Sequence, residues 1–169
     1  MLTYLFERFR SWYADDGVPA EVFMAVLAKN LDNPLDFHLR VQAVYGFSQL
    51  AEAINLAAAN KRVSNILAKA EETIPPNVDS NLFEKQEEIA LFEQLTHMSS
   101  LVTPLFSQRR YSEAMQHLAT LREPVDNFFD QVMVMAKDDN VRCNRLRLLT
   151  ELRNLFLNVA DISHLVPQK

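Results

Sequence analysis

Hydrophobic positions along this chain return every three or four residues for most of its length, the spacing that puts them on one face of an α-helix. Leu2, Leu5, Phe6, Phe9, Trp12 and Tyr13 form the first such face, and Asp15-Asp16-Gly17 supplies the polar residues and glycine that end a helix. Pro19 suits the first turn of a short second helix through Val22, Phe23, Val26 and Leu27, because its missing N–H would have no partner there. Asn33-Pro34 opens a third helix through Leu35, Leu39, Val41, Val44 and Phe47, with a break near Gly46 and Ser48. From Leu50 to Lys69 the chain is rich in alanine, the strongest helix former, which predicts a helix packed close to its neighbours.

Residues 71–81 contain Pro75-Pro76, Asn77, Asp79 and Ser80 and predict an internal loop. Ile89, Phe92, Leu95, Val102 and Leu105 then mark a long amphipathic helix, kinked or ended by Pro104. Another spans Tyr111 to Arg122, Pro124 starts or bends the next through Phe128, Phe129 and Val132, and the last runs from Asn140 to Ala160. Strand-like alternation is confined to Val132-Met133-Val134-Met135, and the two methionines are expected in the core. The pattern predicts an all-α helical bundle spanning 1–169 as one domain, with lead-in helices over 1–33 and the main bundle over 34–169. Its abrupt opening helix, with no cap before it, predicts a fragment of a longer chain.

Composition narrows the chemistry. Two glycines, Gly17 and Gly46, are too few for a phosphate-cradling loop, and four histidines, His38, His97, His117 and His164, lie too far apart in sequence to pair as metal ligands on one helix. Cys143 is the single cysteine, so no internal disulfide can form, and neither it nor any other residue finds a triad partner; no catalytic residue and no metal ligand is expected. Glu7, Arg8 and Arg10 interrupt the opening apolar stretch, which is unlike a signal peptide, and no apolar run is long enough to span a bilayer. The reading is cytoplasmic, with no membrane partner.

A net charge of -5 offers no general attraction for DNA or RNA, so any nucleic-acid contact must be local. Two places concentrate suitable groups. In the Ala59–Leu67 segment and just beyond, Arg62, Asn65 and Lys69 are helical neighbours; either Arg62 bridges to an acid such as Asp130 and joins two helices, or the set is a polar ledge offering donors to a ligand. Farther on, Arg142 and Arg145 share a face beside Asn144, behind Asp138-Asp139, whose charge suits a helix N-terminus.

Three blocks, Ala59-Asn-Lys-Arg-Val-Ser-Asn-Ile-Leu67, Phe128-Phe-Asp-Gln-Val-Met-Val-Met135 and Asn144-Arg-Leu-Arg-Leu-Leu149, together resemble the C-terminal anticodon-binding domain of bacterial glycyl-tRNA synthetase beta subunits. The ending Leu155-Phe-Leu-Asn-Val-Ala-Asp-Ile-Ser163 is similar too, and the Asn-Arg-Leu-x-Leu-Leu block is also shared with the helical anticodon domain of arginyl-tRNA synthetases. The resemblance implies a bundle of the class I synthetase anticodon-binding type and recognition of the anticodon region of glycine tRNA. It implies an enzyme of two alpha and two beta subunits that joins glycine to tRNA, with ATP and magnesium used by the whole enzyme and no cofactor held by this domain. Its partners would be glycine tRNA, the rest of the beta subunit and the alpha subunit.

With the resemblance in view, Lys61, Asn65, Asn144 and Arg145 are the expected RNA contacts, and Arg62 and Asp130 the pair that supports them from behind. The competing expectation is a helical protein-protein interaction module without RNA binding. Binding through phosphates weakens steeply with salt, which separates the two.

Overall fold

The computed structural model describes residues 8, 11–29, 33–71 and 73–165. Leu2, Leu5, Phe6 and Phe9 of the first predicted face lie outside the described residues. Residues 11–15 are helical and run into a turn in which Gly17 takes φ 87°, a left-handed conformation that costs glycine no Cβ clash. Then follow α1 (Ala20–Leu27), α2 (Pro34–Ser48), α3 (Ala53–Lys69), a 3-10 turn η1 (Ser80–Leu82), α4 (Gln86–Ser107), α5 (Tyr111–Ala119), α6 (Arg122–Gln131), α7 (Asp139–Leu157) and a second 3-10 turn η2 (Ile162–Leu165). No strand forms among the described residues, and the fold is the all-α bundle that the periodicity predicts.

Helix starts follow from side chains that satisfy the free N–H groups of a first turn. Asn33 Oδ1 accepts from the Asp36 N–H at 3.1 Å, and Asp138 Oδ1 accepts from Asn140 and Val141 at 2.9 and 3.1 Å. The break expected near Gly46 and Ser48 falls at Ser48, where α2 ends, whereas α4 does not stop at Pro104 but runs on to Ser107. Pro104 sits in the last turn on the solvent side, where one missing hydrogen bond is tolerated. α4 then closes with the Arg110 N–H on Leu105 O at 2.8 Å and the Arg109 N–H on Phe106 O at 3.1 Å, Arg109 taking the left-handed φ of 57°.

α7 packs against α3 and α4, and its inner residues Leu146, Leu148, Leu149, Leu152 and Phe156 are almost wholly removed from solvent. Phe23, Phe37, Phe47 and Phe128 complete the centre, so lead-in and main-bundle residues share one contiguous core. After α7 the chain turns back and the Asp161 N–H bonds Ala25 O at 3.0 Å, bringing η2 against α1 and α3. Arg40 ties this end: its Nη1 donates to the carbonyls of Asn158 and Val159 at 2.6 and 2.8 Å, and its Nε to Asp36 at 2.8 Å. Asp36 also takes the Tyr111 hydroxyl at 2.6 Å.

Candidate nucleic-acid interface

The Val132–Met135 block joins α6 to α7, extended at Val132 and bent at Val134 and Met135. Val132 and Val134 point inward at 5% and 6% exposure, whereas Met133 and Met135 are 70% and 52% exposed, contrary to the expected core placement. The alternation of the sequence is kept as alternation in burial, the valines packing and the methionines meeting water.

Arg145 sits beneath this segment, not at the surface. It is 5% exposed and faces Glu88, which is 0% exposed, with Nε to Oε1 at 2.8 Å and Nη2 to Oε2 at 3.3 Å. Its Nη1 donates to Met133 O at 2.7 Å. Glu88 Oε2 in turn accepts from the backbone N–H groups of Glu84 and Lys85, both at 2.9 Å, which caps α4. Burial pushes the Glu88 carboxyl up, but the Arg145 hydrogen bond, the two backbone donors and the Arg145 charge outweigh it and hold the group below the usual carboxylate range. Asn144 is also buried, its Oδ1 accepting from the Asp79 N–H at 2.7 Å and its Nδ2 donating to Asp79 O at 2.9 Å. Asn144 and Arg145 therefore have their polar atoms committed inside the fold, and the expectation that they stand at an RNA-facing surface is corrected. The spacing carried the signal: Arg145 falls four residues after Val141 and three, four and seven before Leu148, Leu149 and Leu152, on the apolar stripe.

α3 does present an open polar face. Lys61, Arg62 and Lys69 are its only charged residues, and none makes an ion pair among the described residues. Arg62, Asn65 and Lys69 are exposed, and Lys61 is half-buried at the border of the same face. Ser64, beyond Lys61 on the same side of the helix, accepts from Arg153 Nε at 3.0 Å, which brings a fourth cation beside α3.

Arg62 and Asp130 do not form the expected pair. Both are exposed, no hydrogen bond or ion pair joins them, and the Arg62 guanidinium carbon lies 4.4 Å from the centre of the Phe129 ring. Stacking on an aromatic face, not charge pairing, is what links α3 to α6 at this point. Periodicity could not show it, because Phe129 reads as one more core aromatic beside Phe128. The structure instead leaves its ring half-buried, edge-on to Phe128 at 5.6 Å and 80°.

Residues 56–163 match the family described as the DALR anticodon binding domain. The chain belongs to this family. All the candidate residues above lie inside the DALR match. The chain is also 51% identical over 163 residues to the glycine–tRNA ligase beta subunit of Pectobacterium carotovorum, covering 96% of this chain and 24% of that protein. It is 50% identical over 165 residues to the same subunit of Chromohalobacter salexigens, covering 98% of this chain and 24% of the relative, and 50% identical over 163 residues to that of Pasteurella multocida, with 96% and 24% covered. The chain thus spans 24% of the length of the curated relatives it matches.

Within this DALR domain the available chemistry is that of a binding surface. Ammonium and guanidinium groups on α3 suit phosphates, and the Asn65 amide can both donate and accept. No group of three or more His, Cys, Asp or Glu side chains is placed to hold a metal among the described residues. No helix among them is long and apolar enough to cross a membrane.

Proposed function

We propose that this chain is the anticodon-reading part of a glycine–tRNA ligase beta subunit and that it engages the anticodon loop of glycine tRNA through the outer face of α3. Lys61 and Lys69 meet phosphates, and Asn65 meets a base or ribose edge. The rest of the beta subunit and the alpha subunit complete the enzyme, and the ATP-dependent attachment of glycine takes place there, in the cytoplasm, with no catalytic residue drawn from this chain. The observation that carries the reading is α3 itself, a helix with three cations and no acid in a chain of net charge -5. Leaving such a face unpaired costs self-repulsion, and a polyanion offsets it.

The roles of Asn144 and Arg145 are different from direct contact. Asn144 fixes the loop before α4, and Arg145 fixes the segment joining α6 to α7 and the start of α4, so both act by holding the surface in shape.

A filter-binding titration of the chain with glycine tRNA, beside the same transcript carrying another anticodon, tests the proposal. Tighter binding of the glycine transcript, lost steeply as salt rises, is the expected result. Equal retention of both transcripts removes the anticodon from the reading. No salt-dependent binding of either leaves the interaction-module reading in its place.

A further inference from the structure

The Arg62–Phe129 stack lies at a cleft of about 430 Å³ between α3 and α6, lined also by Ala58, Ala59 and Asp130. Three features of the cleft point to a flat, polar-edged ligand. The Arg62 guanidinium carbon sits 4.4 Å over the centre of the Phe129 ring while Arg62 stays exposed, so the group is held at the cleft with less of the cost of ordering a free arginine. The alanines leave the neighbouring wall low, so no bulky side chain fills the space above it. Asp130 is the third feature. The other polar groups are engaged: with its amide turned so that the oxygen faces Arg122, Asn55 accepts from Arg122 Nε and Nη2 at 2.8 and 2.9 Å, and Asp126 pairs with Arg122 Nε at 3.6 Å. Asp130 alone among these has no hydrogen bond or ion pair among the described residues. Asp130 is exposed at the cleft, so its carboxylate is open to accept from a ligand that brings a donor.

We propose that Arg62, held over the Phe129 ring, is the stacking platform for one unpaired base and that Asp130 accepts a hydrogen bond from that base's exocyclic amino group. Single-stranded RNA is read by stacking its bases on aromatic or guanidinium planes and bonding their edges, which is the geometry this cleft provides. Uracil carries a carbonyl where cytosine carries an amino group, and a carboxylate facing that carbonyl is repulsive. The site therefore takes an amino-bearing base and rejects uracil. This inference rests on α3 being an RNA-facing surface, and it adds which residues discriminate.

The test uses the whole chain and two RNA stem–loops, identical except that the unpaired loop positions are cytidine in one and uridine in the other, titrated by fluorescence anisotropy. The unsubstituted chain should bind the cytidine loop roughly tenfold more tightly. Asp130→Ala, an exposed change, should bring the ratio close to unity with an unchanged melting temperature. Arg62→Lys, which keeps the charge and loses the plane, should weaken both loops while leaving the slope of affinity against salt in place. A cytidine preference that persists in Asp130→Ala, or salt-dependent binding of both loops with equal affinity by the unsubstituted chain, overturns the proposal and leaves the α3 reading standing. Absence of salt-dependent binding to either loop overturns both.

Discussion

Arg145 and Glu88, 57 positions apart in sequence, meet as a buried ion pair with Nε 2.8 Å from Oε1, and through it α7, the start of α4 and the Met133 carbonyl are held at one point. Buried charges are expensive to desolvate, and such a pair persists only because nearly every donor and acceptor is matched. Removing one partner strands the other. Arg145→Ala should therefore lower stability by about 3–5 kcal/mol in chemical denaturation, because Glu88 is left charged and buried. An unchanged midpoint would return Arg145 to the surface role that its place in the Asn-Arg-Leu-x-Leu-Leu block first suggested.

Acid should expose the same pair. Glu88 and Asp36 are each driven up by burial and then held below the ordinary carboxylate range by stronger opposing contacts: Arg145 and two backbone N–H groups for Glu88, and Tyr111, Arg40 and Arg109 for Asp36. A carboxyl with a lowered folded pKa adds stability that is fully present above its unfolded pKa, near 4, and disappears as pH falls through the folded value. Unfolding free energy should thus be flat near neutrality and fall below about pH 5. Glu88→Gln should lower the plateau and flatten that acid limb, which denaturant titrations between pH 7 and 3 would show.

Asn144 is expected to act on one loop. Its amide spans both backbone groups of Asp79, so Asn144→Ala loses two hydrogen bonds and should cost about 1–3 kcal/mol. Amide exchange should quicken first around Asp79 and η1, and uniform acceleration across the bundle would contradict a local clamp.

Arg109 is strained. It occupies the left-handed position that closes α4, and its contact with Asp36 is long, 3.8 Å, and half exposed. Arg109→Gly should raise stability by about 0.5 kcal/mol, the relief of the left-handed conformation less the extra chain entropy that glycine loses on folding. A lower melting temperature would mean that the Asp36 contact outweighs the strain.

Much of the fold is legible in the sequence because helices advertise themselves by period and cap: Asn33, Pro34 and Asp138 stand where the first turns begin. What the sequence obscured was depth. Asn144 and Arg145 look like donors for a ligand because polar residues usually face water, yet their spacing from Val141, Leu148 and Leu152 puts them on the inner stripe, and only the fold supplies the distant Glu88 and Asp79 that satisfy them. Arg62 shows the reverse: read as half of an ion pair, it is released from Asp130 because Phe129 offers its ring. Lys61 and Asn65 lie on α3, half-buried and exposed respectively.

The central claim is that the outer face of α3 contacts RNA phosphates. The most direct measurement is the slope of log affinity against log salt for glycine tRNA, in the unsubstituted chain and in Lys61→Ala/Lys69→Ala. Each lost phosphate contact should reduce the slope by about one, so the double variant should bind more weakly with a slope lower by about two. A slope and affinity equal to those of the unsubstituted chain would place the RNA on some other face and contradict the account.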